Sequence, residues 1–190
     1  FDIVSGGGRI TATIPSPGIH MVMNSLCAAA VGLTLGIEPE LIKQGIESYA
    51  PVEGRMQIIK TQRLTLLDDS FNANPTSMAA AINIACRASG RTVLILGDML
   101  ELGEKGAEYH RNMGKKAVEC GADMMIGKGP LMKNACEETE RAGIETMHFD
   151  TSEDIMRALD NCLRDGDTVL VKASHGTNLK DVAEYIKANF

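Results

Sequence analysis

The strongest constraint on the fold is an alternation of short apolar runs with helix-forming runs over most of the chain. The apolar runs have the length of strands and lie at residues 64–67, 93–96, 124–126, 146–149 and 168–171. The helix-forming runs lie at residues 77–88, 107–120, 131–141, 152–163 and 179–188. Apolar strands separated by helices are typical of a parallel sheet with helices on both faces. This part of the sequence therefore predicts a doubly wound, Rossmann-like α/β domain with a mostly parallel sheet.

The first 54 residues follow a different pattern. A strand-like alternation precedes two helix-forming runs with Pro or Gly at their ends, where such residues normally lie. These segments are residues 9–14, 21–35 and 39–49, and the glycine triplet 6–8 suits a turn between two strands. Residues 51–54, PVEG, suit a linker. We therefore expect two parts, 1–54 and 55–190. Because Phe1 leads straight into a strand pattern, we also expect a piece of a longer protein.

Composition excludes several classes of protein. The 190 residues are 44% hydrophobic and 23% charged, which are globular values, and they suffice for one core or one core plus part of another. A net charge of −6 and the absence of Trp argue against nucleic-acid binding. The longest apolar run is too short for a membrane span of about 20 residues. Five cysteines without a CxxC indicate reduced thiols. We expect a soluble, cytoplasmic protein.

Polar side chains follow the first strand of the α/β part. Residues 69–75, with the sequence DSFNANP, lie between an apolar run and a helix-forming run. Open α/β sheets bind ligands at this end of a strand, and carboxylate, hydroxyl and amide groups suit a polyhydroxyl or phosphorylated ligand. The same residues also suit a turn with a helix cap. Either reading fits the stretch taken alone.

Two other strands also end in reactive side chains. Asp98 and Glu101 follow the second strand and could hold an ammonium group, or they could belong to the acidic start of the next helix. Lys172, Ser174 and His175 follow the last strand. A cation, a hydroxyl and the amides of a helix N-terminus suit a carboxylate or phosphate.

Nucleotide contacts could come from the region around the linker. His20 opens the first long helix, and Asn24 lies on the same face four residues later. Arg55 follows the linker, and its permanent charge and forked geometry suit phosphate. A capping His, a solvated or packed Asn and a surface Arg are the structural alternatives. We expect Asp68 to be structural and His110 to pack or cap rather than to catalyse.

Five segments resemble, in order, the motifs of the Mur ligase family. They are PGIHMVMN at 17–24, GRMQ at 54–57, DSFNANP at 69–75, LGDMLELG at 96–103 and KASHG at 172–176. The third and fourth are similar to D-S-Y-N-A-N-P and L-G-D-M-x-E-L-G of the members that add D-alanyl-D-alanine to UDP-N-acetylmuramoyl-tripeptide. The resemblance covers nearly the whole chain. It implies a Mur ligase C-terminal domain at 55–190, preceded by the last part of a central ATPase domain at 1–54.

The resemblance also implies an activity and roles for residues. It implies a monomeric ligase of peptidoglycan synthesis that uses ATP and Mg²⁺ and joins D-alanyl-D-alanine to UDP-N-acetylmuramoyl-tripeptide through an acyl phosphate. The family's motifs place nucleotide contacts at His20, Asn24, Arg55, Asp69 and Asn72. They place substrate contacts at Asn74, Asp98, Glu101, Lys172 and Ser174. The catalytic groups implied are Arg55, Asp98 and Lys172.

Several positions depart from the family's patterns. Met21 stands where the H-N-x-x-N motif has its first Asn, and Ala173 and His175 stand where K-G-S-R-G has Gly and Arg. The 190 residues also lack a G-x-x-x-x-G-K-[ST] phosphate loop. We therefore expect Mg²⁺ to be held mainly by the preceding part of the central domain, and the isolated chain to be inactive.

Two alternatives remain open at this point. One is another Mur-type or folylpolyglutamate-type ligase, and the other is a non-catalytic nucleotide-binding or interaction module. The reading frame before Phe1 discriminates between a ligase and a module, because an upstream phosphate loop favours the ligase.

Overall fold

The computed structural model describes residues 1–6 and 8–190, which fall into two units with separate cores, Phe1–Val52 and Glu53–Phe190. In the first unit, strands β1 (Asp2–Ser5) and β2 (Gly8–Thr11) pair antiparallel. Helices α1 (Ile19–Thr34) and α2 (Pro39–Glu47) follow. The predicted glycine turn includes Gly7, which lies outside the described residues. The core of this unit contains Ile3, Ile10, Ala12, Ala29, Ile42 and Ile46.

The second unit is built on a six-stranded sheet with the order β3-β4-β8-β5-β6-β7. The strands are β3 (Gln57–Lys60), β4 (Thr65–Asp69), β5 (Thr92–Gly97), β6 (Met124–Lys128), β7 (Glu145–Phe149) and β8 (Thr168–Lys172). All neighbouring strands from β4 to β7 are parallel, and β3 pairs antiparallel with β4 at the edge. The doubly wound α/β prediction is confirmed. Strand β3 was not predicted from the sequence, because this short edge strand has only two apolar residues, Ile58 and Ile59, which are adjacent and show no alternation with polar ones.

Five helices cover the sheet of the second unit. They are α3 (Pro75–Cys86), α4 (Gly106–Cys120), α5 (Lys133–Arg141), α6 (Ser152–Cys162) and α7 (Leu179–Asn189). Short 3-10 turns at Gly103–Lys105 and His175–Thr177 precede α4 and α7. All five helices were predicted to within about two residues at each end. None of the helices in the described part of the chain is long and apolar enough to cross a membrane.

Both faces of the sheet are buried, and this explains the continuous apolar runs. Leu94 and Leu96 of β5 belong to a cluster that includes residues of α3, α4 and α5. Val93 and Ile95, the alternate residues of the same strand, belong to a second cluster with residues of α6 and α7. Since successive side chains of a strand point to opposite faces, an apolar residue is needed at every position of such a strand.

Candidate functional site

The carboxyl ends of β4, β8 and β5 lie side by side at one edge of the sheet. In the register of these strands, Asp69 lies opposite Lys172 on one side, and Leu96 lies opposite Lys172 on the other. The three polar segments that follow these strands therefore start from neighbouring positions. We call the loops at 69–75, 96–103 and 172–178 the edge loops.

A buried ion pair lies at the centre of this edge. Lys172 is 1% exposed, and its Nζ donates to Asp69 Oδ2 at 2.6 Å and to the carbonyl oxygen of Asn72 at 2.8 Å. Burial lowers the pKa of Lys172, and the Asp69 carboxylate opposes this shift. The positive charge of Arg55 lowers that pKa further. Lys172 thus connects the end of β8 to the loop that follows β4.

Asp69 also fixes the segment that follows the linker. Its Oδ1 accepts the backbone N–H of Met56 at 3.0 Å, and the N–H of Phe71 donates to the carbonyl of Gly54 at 2.9 Å. Met56 has φ 49°, a left-handed conformation that is strained for a residue with a long side chain. The Asp69 side chain stays partly exposed, at 15%, and a carboxylate can accept several hydrogen bonds. A ligand hydroxyl could therefore still reach it.

An exposed group of rings and a cation lies beside the ion pair. The Arg55 guanidinium carbon lies 4.2 Å from the centroid of the Phe71 ring, and the Phe71 and His175 centroids are 5.8 Å apart. All three side chains are exposed. A guanidinium over an aromatic face is a favourable cation–π arrangement. The sequence analysis gave Phe71 no role, although an aromatic residue in a polar loop of a chain with only four Phe was an available signal.

The two asparagines of the edge loop at 69–75 have different surroundings. Asn74 caps α3: its side-chain oxygen accepts the N–H of Ser77 at 2.8 Å, and the Ser77 hydroxyl accepts the N–H of Asn74 at 3.1 Å. This capping box is the structural alternative considered for the stretch. Asn72 is exposed, and its side-chain oxygen accepts the N–H of Ala73 at 2.9 Å. A nucleotide contact by Asn72 and a substrate contact by Asn74 stay predictions.

Asp98 and Glu101 do not share one environment. Asp98 is 5% exposed, and its carboxylate accepts the backbone N–H groups of Met132 at 2.6 Å and Leu131 at 3.3 Å. These donors lie at the start of α5, so the carboxylate stabilises that helix end. Glu101 is exposed and has φ 62°. Of the two carboxylates, Glu101 is therefore the one that can meet an incoming ammonium group without losing backbone partners.

His110 has the packing role that was expected. It is fully buried, its Nε2 accepts the N–H of Met99 at 2.8 Å, and its Nδ1 lies 2.6 Å from the carbonyl oxygen of Gly106. Because Nε2 accepts a hydrogen bond, Nδ1 carries the proton and donates it to that carbonyl. Asp68 is also structural, since it is 1% exposed and its Oδ2 pairs with Lys187 at 2.8 Å.

Ser174 connects all three edge loops. Its hydroxyl accepts the N–H of Leu100 at 3.0 Å and lies 3.4 Å from the carbonyl oxygen of Ala73, and the residue is 5% exposed. A direct contact of Ser174 with substrate stays a prediction. The left-handed residue before α7 is Asn178, with φ 55°.

Lys128, at the end of β6, was missed. Its Nζ donates to the carbonyl of Thr177 and to the Ser152 hydroxyl, the latter at 3.0 Å, and this hydroxyl donates to the carbonyl of Asn178 at 3.0 Å. Lys128 thus fixes the turn before α7 and the start of α6. A lysine directly after an apolar strand, as at Lys172, was a signal that could have found it.

His20 and Asn24 lie in the first unit, in the first two turns of α1. Both side chains are exposed, and the Asn24 amide contacts Met21 Sδ at 3.8 Å. Their role as nucleotide contacts stays a prediction.

The second unit is thus a doubly wound α/β domain with a charged cluster at the carboxyl edge of its sheet. Residues 54–175 match the family model described as "Mur ligase, glutamate ligase domain". The chain belongs to the Mur ligase family, as the motifs indicated.

Similar proteins agree with this family. The UDP-N-acetylmuramoyl-tripeptide–D-alanyl-D-alanine ligase of Buchnera aphidicola is 34% identical over 98% of this chain, and that of Escherichia coli is 30% identical over 100% of it. The crystal structure of MurF from Acinetobacter baumannii has a TM-score of 0.88, is 26% identical and covers 100% of this chain but 42% of its own. The chain spans 40% and 42% of the lengths of the two curated relatives.

Proposed function

We propose that this chain is part of an ATP-dependent ligase that joins D-alanyl-D-alanine to UDP-N-acetylmuramoyl-tripeptide in peptidoglycan synthesis. One observation carries the proposal. The edge loops, which hold three of the motifs, converge around the Asp69–Lys172 ion pair. Relatives with this activity in their names are similar over nearly the whole chain and support the choice of substrates. We further propose that residues 1–54 are the last part of the central ATP-binding domain, and that the enzyme acts in the cytoplasm as a monomer.

The exposed residues beside the Asp69–Lys172 ion pair suit a nucleotide. Arg55 offers a permanently charged donor group for phosphate, and Phe71 beneath it keeps the guanidinium in place at 4.2 Å. The Asp69 side chain is 15% exposed, and a carboxylate can accept several hydrogen bonds, so a ribose hydroxyl could also donate to it. When bound, ATP supplies the phosphoryl group that activates the carboxylate of the tripeptide. Asn72 completes the proposed nucleotide contacts of the second unit. For His20 and Asn24 of the first unit, a nucleotide contact is proposed from the family's motifs alone.

The burial of the charged residues indicates which of them can contact the incoming dipeptide. We assign the ammonium group of D-alanyl-D-alanine to the exposed Glu101, because the Asp98 carboxylate is already bonded to backbone N–H groups. Lys172 and Ser174 are almost fully buried, so they act by holding the edge loops in place. Precise placement of the reacting groups provides much of the rate in such two-substrate reactions.

We propose that Mg²⁺ is held mainly by residues of the preceding part of the central domain, because the 190 residues lack the phosphate-loop motif. In residues 1–6 and 8–190, no group of three or more His, Cys, Asp or Glu side chains could hold a metal ion. In this proposal, the 190-residue chain by itself does not turn over.

The test measures phosphate release by the product of the complete reading frame, supplied with ATP, UDP-N-acetylmuramoyl-tripeptide and D-alanyl-D-alanine. We expect release that depends on the dipeptide. Replacing Arg55 with Ala should raise the KM for ATP about tenfold or more, because a hydrogen bond to a charged group is worth roughly 1.5–3 kcal/mol. Arg63→Ala is the matched control, since Arg63 pairs with Asp165 and stacks on Phe190 away from the edge loops.

Other outcomes would point elsewhere. Release that depends on a different amino acid or peptide would identify another Mur-type or folylpolyglutamate-type ligase. A folded protein that binds ATP but releases no phosphate with any of these substrates would favour a non-catalytic module.

A further inference from the structure

Two cysteines lie together at the surface opposite the edge loops. Helices α3 and α4 both start after strands that end at the edge loops, and they end at Cys86 and Cys120. Ala85 and Ala117 of the same helices are fully buried in one cluster, against which Cys86 and Cys120 also pack. Small residues in that cluster let the two helices approach closely.

A hydrogen bond places the Cys120 sulfur against the last turns of α3. Cys120 Sγ donates to the side-chain oxygen of Asn83 at 3.0 Å. Asn83 and Cys86 are three residues apart, so their side chains are neighbours on one face of the helix. The nearby Cys120 also contributes to the raised pKa of Cys86, which agrees with this placement. Both thiols are only partly buried and are thus open to small reagents.

We propose that Cys86 and Cys120 form a reversible intramolecular disulfide when the protein meets a small-molecule disulfide such as oxidised glutathione. This disulfide involves neither the ligase activity nor any residue of the edge loops. Its chemistry requires two thiols that can reach each other without unfolding. The disulfide would join the far ends of the two helices whose beginnings follow the edge loops at 69–75 and 96–103.

The reaction has a preferred order. Burial, and after it the nearby Cys120, raises the pKa of Cys86 to about 12, so the Cys86 thiol is a poor first nucleophile near neutral pH. The Cys120 thiol loses its proton and attacks one sulfur of oxidised glutathione, whose S–S bond breaks and releases one glutathione thiolate. The Cys86 thiol then loses its proton and attacks the Cys120 sulfur, and the second glutathione thiolate leaves.

The exchange is balanced without another reactant. The two protein thiols lose two electrons and two protons, and the small disulfide gains them and becomes two thiols. Forming the mixed disulfide removes the charge that Cys120 exerts on Cys86. The second step is then favoured by the proximity of the two sulfurs within one chain.

The 190-residue chain is treated with oxidised glutathione at pH 8.5. Its remaining free thiols are then alkylated, and the protein is digested with trypsin. We expect the free thiols, counted after unfolding, to fall by two from the five of the reduced chain. Mass spectrometry should find peptide 64–87 joined to peptide 117–128, and dithiothreitol should separate them. Thiols that all remain free, or a yield of this cross-link no higher than in urea-unfolded protein, would overturn the proposal.

Two variants and one control separate the proposed pair from adventitious oxidation. Cys86→Ser should stop at a mixed disulfide of Cys120 with glutathione, and Cys120→Ser should give neither the cross-link nor rapid modification of Cys86. Cys27→Ser removes an exposed cysteine of the first unit and should still lose two thiols. Mixed disulfides at both Cys86 and Cys120 in the wild-type chain, without the cross-link, would contradict the proposed proximity.

Discussion

At the scale of single residues, two neighbouring carboxylates at the end of β4 organise this edge of the sheet, and each forms an ion pair with a lysine of a different element. Asp69 meets Lys172 at 2.6 Å, and Asp68 meets Lys187 at 2.8 Å. Burial opposes protonation of Lys187, but hydrogen bonds to Asp68 and Glu184 raise its pKa. Because consecutive strand residues face opposite sides of the sheet, each carboxylate connects β4 to a different element. The two pairs fix where the loop after β4 begins.

Removing the Lys172 ammonium should destabilise the second unit. Lys172→Met leaves the Asp69 carboxylate largely buried without its cation, and breaking such a pair should cost about 3 kcal/mol. Urea unfolding followed by circular dichroism measures this loss. Lys180→Met is the matched control, since its ion pair with Glu53 at 3.1 Å is exposed and should contribute little. Equal losses of stability in the two variants would show that the Asp69–Lys172 pair contributes no more to stability than an exposed ion pair.

The stability contribution of Lys172 should depend on pH. Its folded pKa is lowered by burial, whereas the unfolded value is about 10.4. Between these values the unfolded chain binds more protons, so the free energy of unfolding rises with pH in this window. The contribution is greatest above about pH 10.4 and is lost as the pH falls through the folded pKa. We therefore expect wild type to gain stability relative to Lys172→Met as the pH rises from neutral. The free energies of unfolding of the two proteins are measured by urea titration at each pH. A difference between them that stays constant or becomes smaller as the pH rises would contradict this expectation.

At the scale of elements, helices α3, α4 and α7 begin at or shortly after the edge loops, so the starts of these helices also shape the candidate site. Asn74 is the cap of α3, with Pro75 at its first position. Asn74→Ala should destabilise the unit by about 1 kcal/mol, because the N–H of Ser77 loses its acceptor. Asn74→Asp should retain the stability, since aspartate caps equally well. Urea midpoints of the three proteins test this, and a loss with Asp as large as with Ala would exclude capping as the reason.

The crossing of α4 and α5 depends on one glycine. A Cβ atom on Gly114 would clash with the carbonyl oxygen of Ala135 and would lie 2.8 Å from its Cα. Gly114→Ala should therefore destabilise the protein by roughly 1–3 kcal/mol, although alanine favours helices, because the two backbones must move apart. Lys115→Ala changes the next, exposed position of α4 and should be nearly neutral. Thermal unfolding of both variants measures the effect, and a stabilised Gly114→Ala protein would show that the helices can separate freely.

At the scale of the whole molecule, each unit has its own buried core. The two clusters on the faces of the sheet consist of residues from 56 to 190, and the cluster of the first unit consists of residues from 1 to 46. We therefore expect residues 53–190 to fold when produced alone, with one cooperative urea transition and a midpoint close to that of the corresponding transition of the whole chain. A non-cooperative transition or exposed apolar surface, detected by dye binding, would contradict independent folding.

Much of the second unit could be read from the sequence, because its elements are defined by local patterns. Strands buried on both faces need apolar residues at every position, and the helices between them are bounded by caps, Pro and Gly. The five parallel strands and five helices were predicted for this reason. The motifs at 69–75 and 96–103 likewise indicated the Mur ligase family, which the family match at 54–175 bears out.

What only the tertiary structure decided is which polar groups face each other. Sequence spacing does not show that Lys172 is buried against Asp69, 103 positions away, or that Asp98 bonds to the start of α5, 33 and 34 positions away. These contacts depend on strand order, which places β8 beside β4 and β6 beside β5. The sequence by itself determined the fold class and the family, since these follow from local periodicity and motifs. Only the tertiary structure showed that Glu101 is exposed and that Lys172 is buried and holds the edge loops in place. The reason is that long-range packing sets the exposure and the hydrogen-bond partners of each side chain.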